Sequence, residues 1–152
     1  MLELKFALNG KAMSVVKVGS HAFNAFSGDD DYRNKKVAQC LVNLGPIPAG
    51  TYYIFDRQSG GRLGRLKDYF NGKDQWFALY GVDTNIDDEV MCAAISRGQF
   101  RLHPQGRLGV SKGCIVLESH KDFITLRSLL KSTSTTLIPG VGLESYGRVI
   151  VT

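Results

Sequence analysis

Gly98-Gln-Phe-Arg-Leu-His103-Pro-Gln-Gly-Arg-Leu-Gly-Val-Ser111-Lys-Gly113-Cys114-Ile-Val-Leu-Glu118 contains two short runs of alternating character around a glycine-bearing loop. Side chains alternate faces along a strand. In the first run Phe100 and Leu102 share one face, and Gln99, Arg101 and His103 share the other. In the second, Ile115 and Leu117 lie opposite Cys114, Val116 and Glu118. Antiparallel pairing across residues 104–113 makes the apolar faces coincide on a core side. It also brings His103 and Cys114 together on the polar face, with Arg101 beside them. The stretch therefore predicts a half-buried sheet carrying a thiol next to an imidazole.

Outward from this segment the chain reads mainly as strands. Leu4–Leu8 and Met13–Val18 flank Asn9-Gly10, a dipeptide favoured in two-residue hairpin turns. Residues 19–36 read as loop, rich in Gly, Asp and Asn. Gly45-Pro-Ile-Pro-Ala-Gly50 leads by turns into Thr51-Tyr-Tyr-Ile-Phe55, a β-branched and aromatic strand. Trp76–Tyr80 reads as another strand, and Leu66–Phe70 as a short helix between glycines. Ser119 caps the amide of Asp122 and opens a helix with Phe123, Leu126, Leu129 and Leu130 on one face. Pro139-Gly140 separates it from a last strand, Arg148–Val151. The fold class is mainly β, a β-rich α+β arrangement of antiparallel sheets or a β-sandwich with one or two short helices. With 152 residues and no linker, residues 1–152 form a single domain.

Composition narrows the function classes. The chain is 43% hydrophobic, enough for a core, yet no apolar run approaches the ~20 residues of a membrane span. The N-terminus lacks the basic start and apolar stretch of a secretory signal, so an extracytoplasmic role implies another route out of the cytoplasm. The net charge of +5 raises nucleic-acid binding, but the basic residues are largely scattered. The densest group (Arg57, Arg62, Arg65, Lys67) is interrupted by Gly and Asp. No Cys-x-x-Cys or His-x-x-x-His spacing suggests a metal, and no cofactor is expected. Three cysteines leave at least one thiol unpaired within the chain.

Cys114 and His103 suit nucleophilic catalysis, since a neighbouring imidazole raises the small thiolate fraction of a free cysteine. Gly113 lets the backbone turn before the nucleophile, so that the amides of Gly113 and Cys114 can face a developing oxyanion. Ser111 can add a hydroxyl donor or orient the histidine. His21 and His120 read as structural, as do Cys40 and Cys92 taken singly. The pattern alone leaves catalysis and a purely structural pair both open.

The same residues resemble the L,D-transpeptidases, whose pattern runs His…Ser-x-Gly-Cys. Ser27-Gly28 and Pro46-Ile-Pro-Ala-Gly-Thr-Tyr-Tyr-Ile54 are similar to that family's Ser-x-Gly loop and Thr-Pro-x-Gly-x-Phe strand. Gly45–Ile54, Asp56–Gly64, Trp76–Tyr80 and Arg97–Pro104 are more similar still to antibacterial effectors of the type VI secretion system. Two features depart from the broad family. The His-to-Cys spacing is 11, with Pro104 after the histidine, and Val116 stands where an arginine is common. Arg101 is positioned to supply that charge.

The resemblance implies an enzyme acting on peptidoglycan stem peptides through a Cys114 thioester. Arg101 and Ser27 would contact substrate. Water, D-amino acids or an amine would be acceptors. It further implies delivery by the secretion apparatus to the periplasm of a target bacterium and a cognate immunity protein; in that oxidising compartment Cys40 and Cys92 could form a disulfide that leaves Cys114 free. The competing readings are a papain-like cell-wall peptidase or amidase, disfavoured by histidine preceding cysteine, and a non-catalytic wall-binding β module.

Overall fold

The structure is a computed structural model and describes residues 1–58 and 72–152. The helix expected over Leu66–Phe70 lies outside the described residues. The strands are β1 (Leu2–Phe6), β2 (Ser14–Val18), β3 (His21–Phe26), β4 (Gly50–Asp56), β5 (Phe77–Gly81), β6 (Glu89–Cys92), β7 (Ile95–Gly98), β8 (Arg101–Pro104), β9 (Ile115–Leu117), β10 (Thr136–Ile138), β11 (Leu143–Ser145) and β12 (Gly147–Val151). Helix α1 (His120–Ser132) follows β9.

Eight strands close into a barrel in the order β1-β12-β4-β5-β8-β9-β3-β2, and β6-β7 and β10-β11 form separate hairpins. Period-two alternation selects its interior. In β1 Leu4 and Phe6 are buried while Glu3 and Lys5 face out, and β12 repeats this with Val149 and Val151 against Arg148. A small barrel is filled by its own inward side chains. Here Tyr52, Ile54, Phe77, Leu79, Leu102, Ile115 and Leu117 complete that filling, joined by Phe123, Leu126 and Leu130 of α1. The helix starts as expected, with Ser119 Oγ accepting from the Asp122 amide at 3.3 Å, and packs on β8 and β9.

The mainly β architecture agrees with the sequence, but the sheet closes on itself instead of forming a two-layer sandwich. Two pairs are parallel, β1–β12 and β8–β9. The second reverses the antiparallel pairing expected for the site. The loop 105–114 carries the chain back along β8, so β9 runs beside it in the same direction, with Leu102 opposite Ile115 and His103 opposite Val116. The first half of the expected 19–36 loop is strand β3, in which Phe23 and Ala25 are buried by alternation. The glycine- and aspartate-rich composition begins only beyond it. The first hairpin is present, but Asn9-Gly10 sits in a wider loop. Among these two residues only Gly10 has positive φ (72°). Asn9 bonds its own loop at the Lys11 amide and the Met13 carbonyl.

Cys40 and Cys92 are joined in a disulfide with a Cα–Cα distance of 5.3 Å, and Cys114 is the free thiol. The bridge ties β6 to the loop before β4 across a sequence separation of 52. On the loop-entropy picture such a closure contributes up to ~4 kcal/mol. Replacing both Cys40 and Cys92 by serine is expected to lower the denaturant midpoint accordingly. Equal midpoints for the oxidised protein and the double variant would contradict this.

Candidate active site

Strand β8 and the loop leading into β9 form one wall of a cavity of about 450 Å³. Cys114, His103, Ser111 and Arg101 all line it, with Trp76, Arg57, Lys73 and Lys112 around them. A larger depression of about 530 Å³ lies over β1, β2 and β12 but has neither thiol nor imidazole on its walls.

The parallel register sets the spacing within this wall. Continued one residue before β9, it places Cys114 beside Arg101, and His103 is then two residues further along the neighbouring strand. With strands ~4.8 Å apart and ~3.3 Å of rise per residue, that diagonal separates the two Cα atoms by roughly 8 Å. Sulfur and imidazole line the same cavity, and each has its hydrogen bond elsewhere. The thiol's hydrogen bond goes to the Gln99 carbonyl at 3.9 Å. His103 Nδ1 lies 2.8 Å from the Pro104 carbonyl, which can only accept. That bond requires the proton on Nδ1 and leaves Nε2 as the basic nitrogen.

The turn before Cys114 is held from several sides. Ser111 Oγ donates to the Cys114 carbonyl (2.8 Å) and accepts from the amides of Gly28 (3.2 Å) and Gly113 (3.3 Å). Its hydroxyl is thus fully used in fixing the loop before β9, and neither an oxyanion nor His103 receives it. The Gly113 amide is likewise engaged, so of the two expected backbone donors only that of Cys114 remains a candidate. Gly113 adopts φ +119°, and a Cβ there would stand 2.6 Å from an Arg97 Nη and 2.7 Å from the Phe100 ring. Only glycine fits.

Ser27 is fully buried. Its Oγ donates to the Gly113 carbonyl (3.1 Å) and accepts from the Ile47 amide (2.8 Å). It supports the loop from behind, and substrate cannot reach it in this arrangement. Arg101 sits at the cavity, but its guanidinium is gripped at both ends by Asp88 (2.7 Å each), so its charge is largely neutralised.

The sequence reading did not single out Arg97. This buried arginine donates to the carbonyls of Gln39, Gly45 (3.2 Å), Pro46 (3.1 Å) and Lys112 (3.2 Å). It stacks over Phe100 at 5.3 Å and fastens the loop before β4 to the loop before β9. Nor does the strand pattern single out Trp76, whose indole stacks on the His103 ring, centroids 4.1 Å apart and planes 15° from parallel.

The model of the Tlde1 domain matches residues 21–141. The chain belongs to the Tlde1 domain family. That is a family of type VI secretion effectors. No curated protein and no solved structure matches the chain. The matched part of the Tlde1 domain includes Ser27, Arg101, His103, Ser111, Gly113, Cys114 and both disulfide cysteines. The strands β1, β2 and β12 that complete the barrel fall outside it.

Electrostatics in the Tlde1 domain favour neutral partners at rest. Burial lowers the His103 pKa, and Lys73 and Arg57 push it further down against the raising effect of the Pro104 bond. Burial raises the Cys114 thiol, opposed by the Arg101 amide and guanidinium and by Arg57. The site therefore holds a thiol and a neutral imidazole rather than a preformed ion pair. Among the described residues no group of His, Cys, Asp or Glu could hold a metal ion, and no helix is long and apolar enough to cross a membrane.

Proposed function

We propose that the protein is a cysteine-nucleophile acyltransferase of peptidoglycan tetrapeptide stems, delivered as a type VI effector to the periplasm of a target bacterium. The observation that carries this reading is the free thiol of Cys114 opening onto one cavity with an imidazole whose Nε2 is kept basic by the Pro104 carbonyl. The reacting carbonyl of the third stem residue would enter this cavity beside Sγ, within reach of Nε2. His103 takes the thiol proton as Sγ attacks, and the Cys114 amide is the candidate donor to the tetrahedral oxyanion. Collapse breaks the peptide bond, and the imidazolium returns its proton to the departing D-alanine amine. A thioester on Cys114 remains.

The acceptor determines the product. Water regenerates the thiol and gives a tripeptide, a D-amino acid gives an exchanged stem, and a side-chain amine gives a cross-link. Trimming and exchange both remove tetrapeptide donors from the wall, which suits an antibacterial role. A producing cell then needs an immunity protein. Mass spectrometry of purified tetrapeptide muropeptides incubated with the protein tests the reading. The expected result is loss of the terminal alanine in buffer and its replacement when another D-amino acid is supplied. Unchanged tetrapeptides under both conditions would refute it.

A further inference from the structure

The β5–β8 register pairs Phe77 with Leu102 and Ala78 with Arg101. Continued by one residue, it places Trp76 directly opposite His103. Phe77 and Leu102 point into the barrel core, so alternation turns Trp76 and His103 together to the cavity side. His103 is thus flanked on both sides. β9 and Cys114 lie across one edge of β8, and the indole covers the ring from the other. The backbone of Trp76 is anchored at both ends, its amide donating to the Lys73 carbonyl (3.1 Å) and its carbonyl accepting from the Arg57 amide (3.2 Å).

We infer that Trp76 is a positioning residue for His103, its stacked indole and the Pro104 carbonyl together holding the imidazole with Nε2 toward the Cys114 side of the cavity. The inference rests on the acyl-transfer reading above and adds a residue to it. An imidazole turns about two side-chain bonds. The Nδ1 bond at 2.8 Å fixes which way the ring is turned about its Cβ–Cγ bond, and the indole at 4.1 Å blocks its swing away from β9. Without the indole the ring can leave the line to a carbonyl bound at Cys114. Such misplacement of a reacting group by ~1 Å can cost on the order of 10²-fold in rate.

Trp76 also sets the charge around the ring. The Lys73 ammonium and the Arg57 guanidinium lie 5.3 and 5.5 Å from the indole centroid. From β8 the ring is faced by Arg101 with its partner Asp88, and from the nucleophile loop by Lys112 and Cys114. Opening the stack to water would relieve the burial that disfavours the imidazolium.

A cross-strand aromatic pair can also serve sheet stability alone, with ~0.2–1 kcal/mol at stake. Two variants separate the roles. Trp76→Phe keeps a flat ring, and Trp76→Leu keeps apolar bulk without one. In histidine-labelled protein, nuclear magnetic resonance should show His103 as one Nδ1–H tautomer in the parent and in Trp76→Phe. In Trp76→Leu the expectation is mixed tautomers and a titration moved up toward the ordinary imidazole value. With tetrapeptide muropeptide, Trp76→Leu is expected to lose ~10–100-fold in kcat with KM within about twofold, and Trp76→Phe to stay within a few-fold of the parent. Parent-like tautomer, titration and kcat in Trp76→Leu would overturn the inference. A parent protein inert toward muropeptides would refute the acyl-transfer reading instead, and the resonance measurements would still decide whether the indole holds the ring.

Discussion

Replacing Cys114 by alanine is expected to abolish turnover of tetrapeptide muropeptides while leaving the thermal midpoint within a degree or two of the parent. The two halves of this expectation have separate causes. The covalent step needs a sulfur at this position, and no other group can supply one, because Cys40 and Cys92 are consumed in the disulfide. The hydroxyl that lines the cavity, Ser111 Oγ, has its proton committed to the Cys114 carbonyl and its lone pairs to two amides. Stability, by contrast, does not run through the thiol. The loop carrying Cys114 is fastened by Ser111, by Ser27 under Gly113, and by Arg97 at the Lys112 carbonyl. The sulfur contributes one weak contact at 3.9 Å from a half-buried position. A cavity one sulfur atom in size, open to solvent, costs far less than a buried truncation. Product analysis beside a melting curve checks both halves, and persistent trimming by the folded variant would remove the thiol from the mechanism.

The sequence placed His103 and Cys114 on one face correctly while pairing their strands the wrong way round. The face of a residue depends on its position along its own strand, with period two, and that parity survives reversal of the partner. Leu102 and Ile115 had to be inward whether β9 ran up or down, so the polar face carried Arg101, His103 and Cys114 in both cases. What parity cannot give is the offset. Antiparallel pairing sets sulfur opposite imidazole, but the parallel register makes the two residues diagonal neighbours. The sheet's partners were equally illegible. β3 was hidden by the loop-like composition that follows it, and the closure of β1 on β12 joins the two ends of the chain. Long-range hydrogen bonds explain the remaining misreadings. Ser27 lies 86 residues from Gly113, and Arg97 reaches carbonyls more than 50 residues away. A serine in a Gly-rich loop or an arginine in a short strand carries no local sign of such partners. Trp76 was the exception, since extending the expected 76–80 strand against the 99–103 strand would have set it against His103.

Replacing His103 by alanine is expected to lower kcat/KM by ~10²–10⁴-fold, the usual worth of a positioned general base. The effect should be large because the site starts from a protonated thiol. Burial raises the Cys114 pKa, so little thiolate exists at neutral pH without a base to accept the proton. The sign of the pH dependence follows from the same geometry. His103 must be neutral to act, and its pKa lies below the ordinary imidazole value of about 6.5. The parent should therefore keep its full rate at pH values where an unperturbed histidine would already be half protonated, and lose it only as pH falls through the lowered value. In His103→Ala that acidic limb should vanish, and the residual rate should instead climb with rising pH as the thiol ionises on its own. Folding carries the same sign. The unfolded imidazole binds a proton more readily than the buried one, so the buried neutral ring adds stability above about pH 6.5 that is lost as pH falls through its folded value. An acidic limb retained in the alanine variant would assign the proton transfer to another group. An acidic limb at or above 6.5 in the parent would mean that the ring is not held neutral by burial and by Lys73 and Arg57.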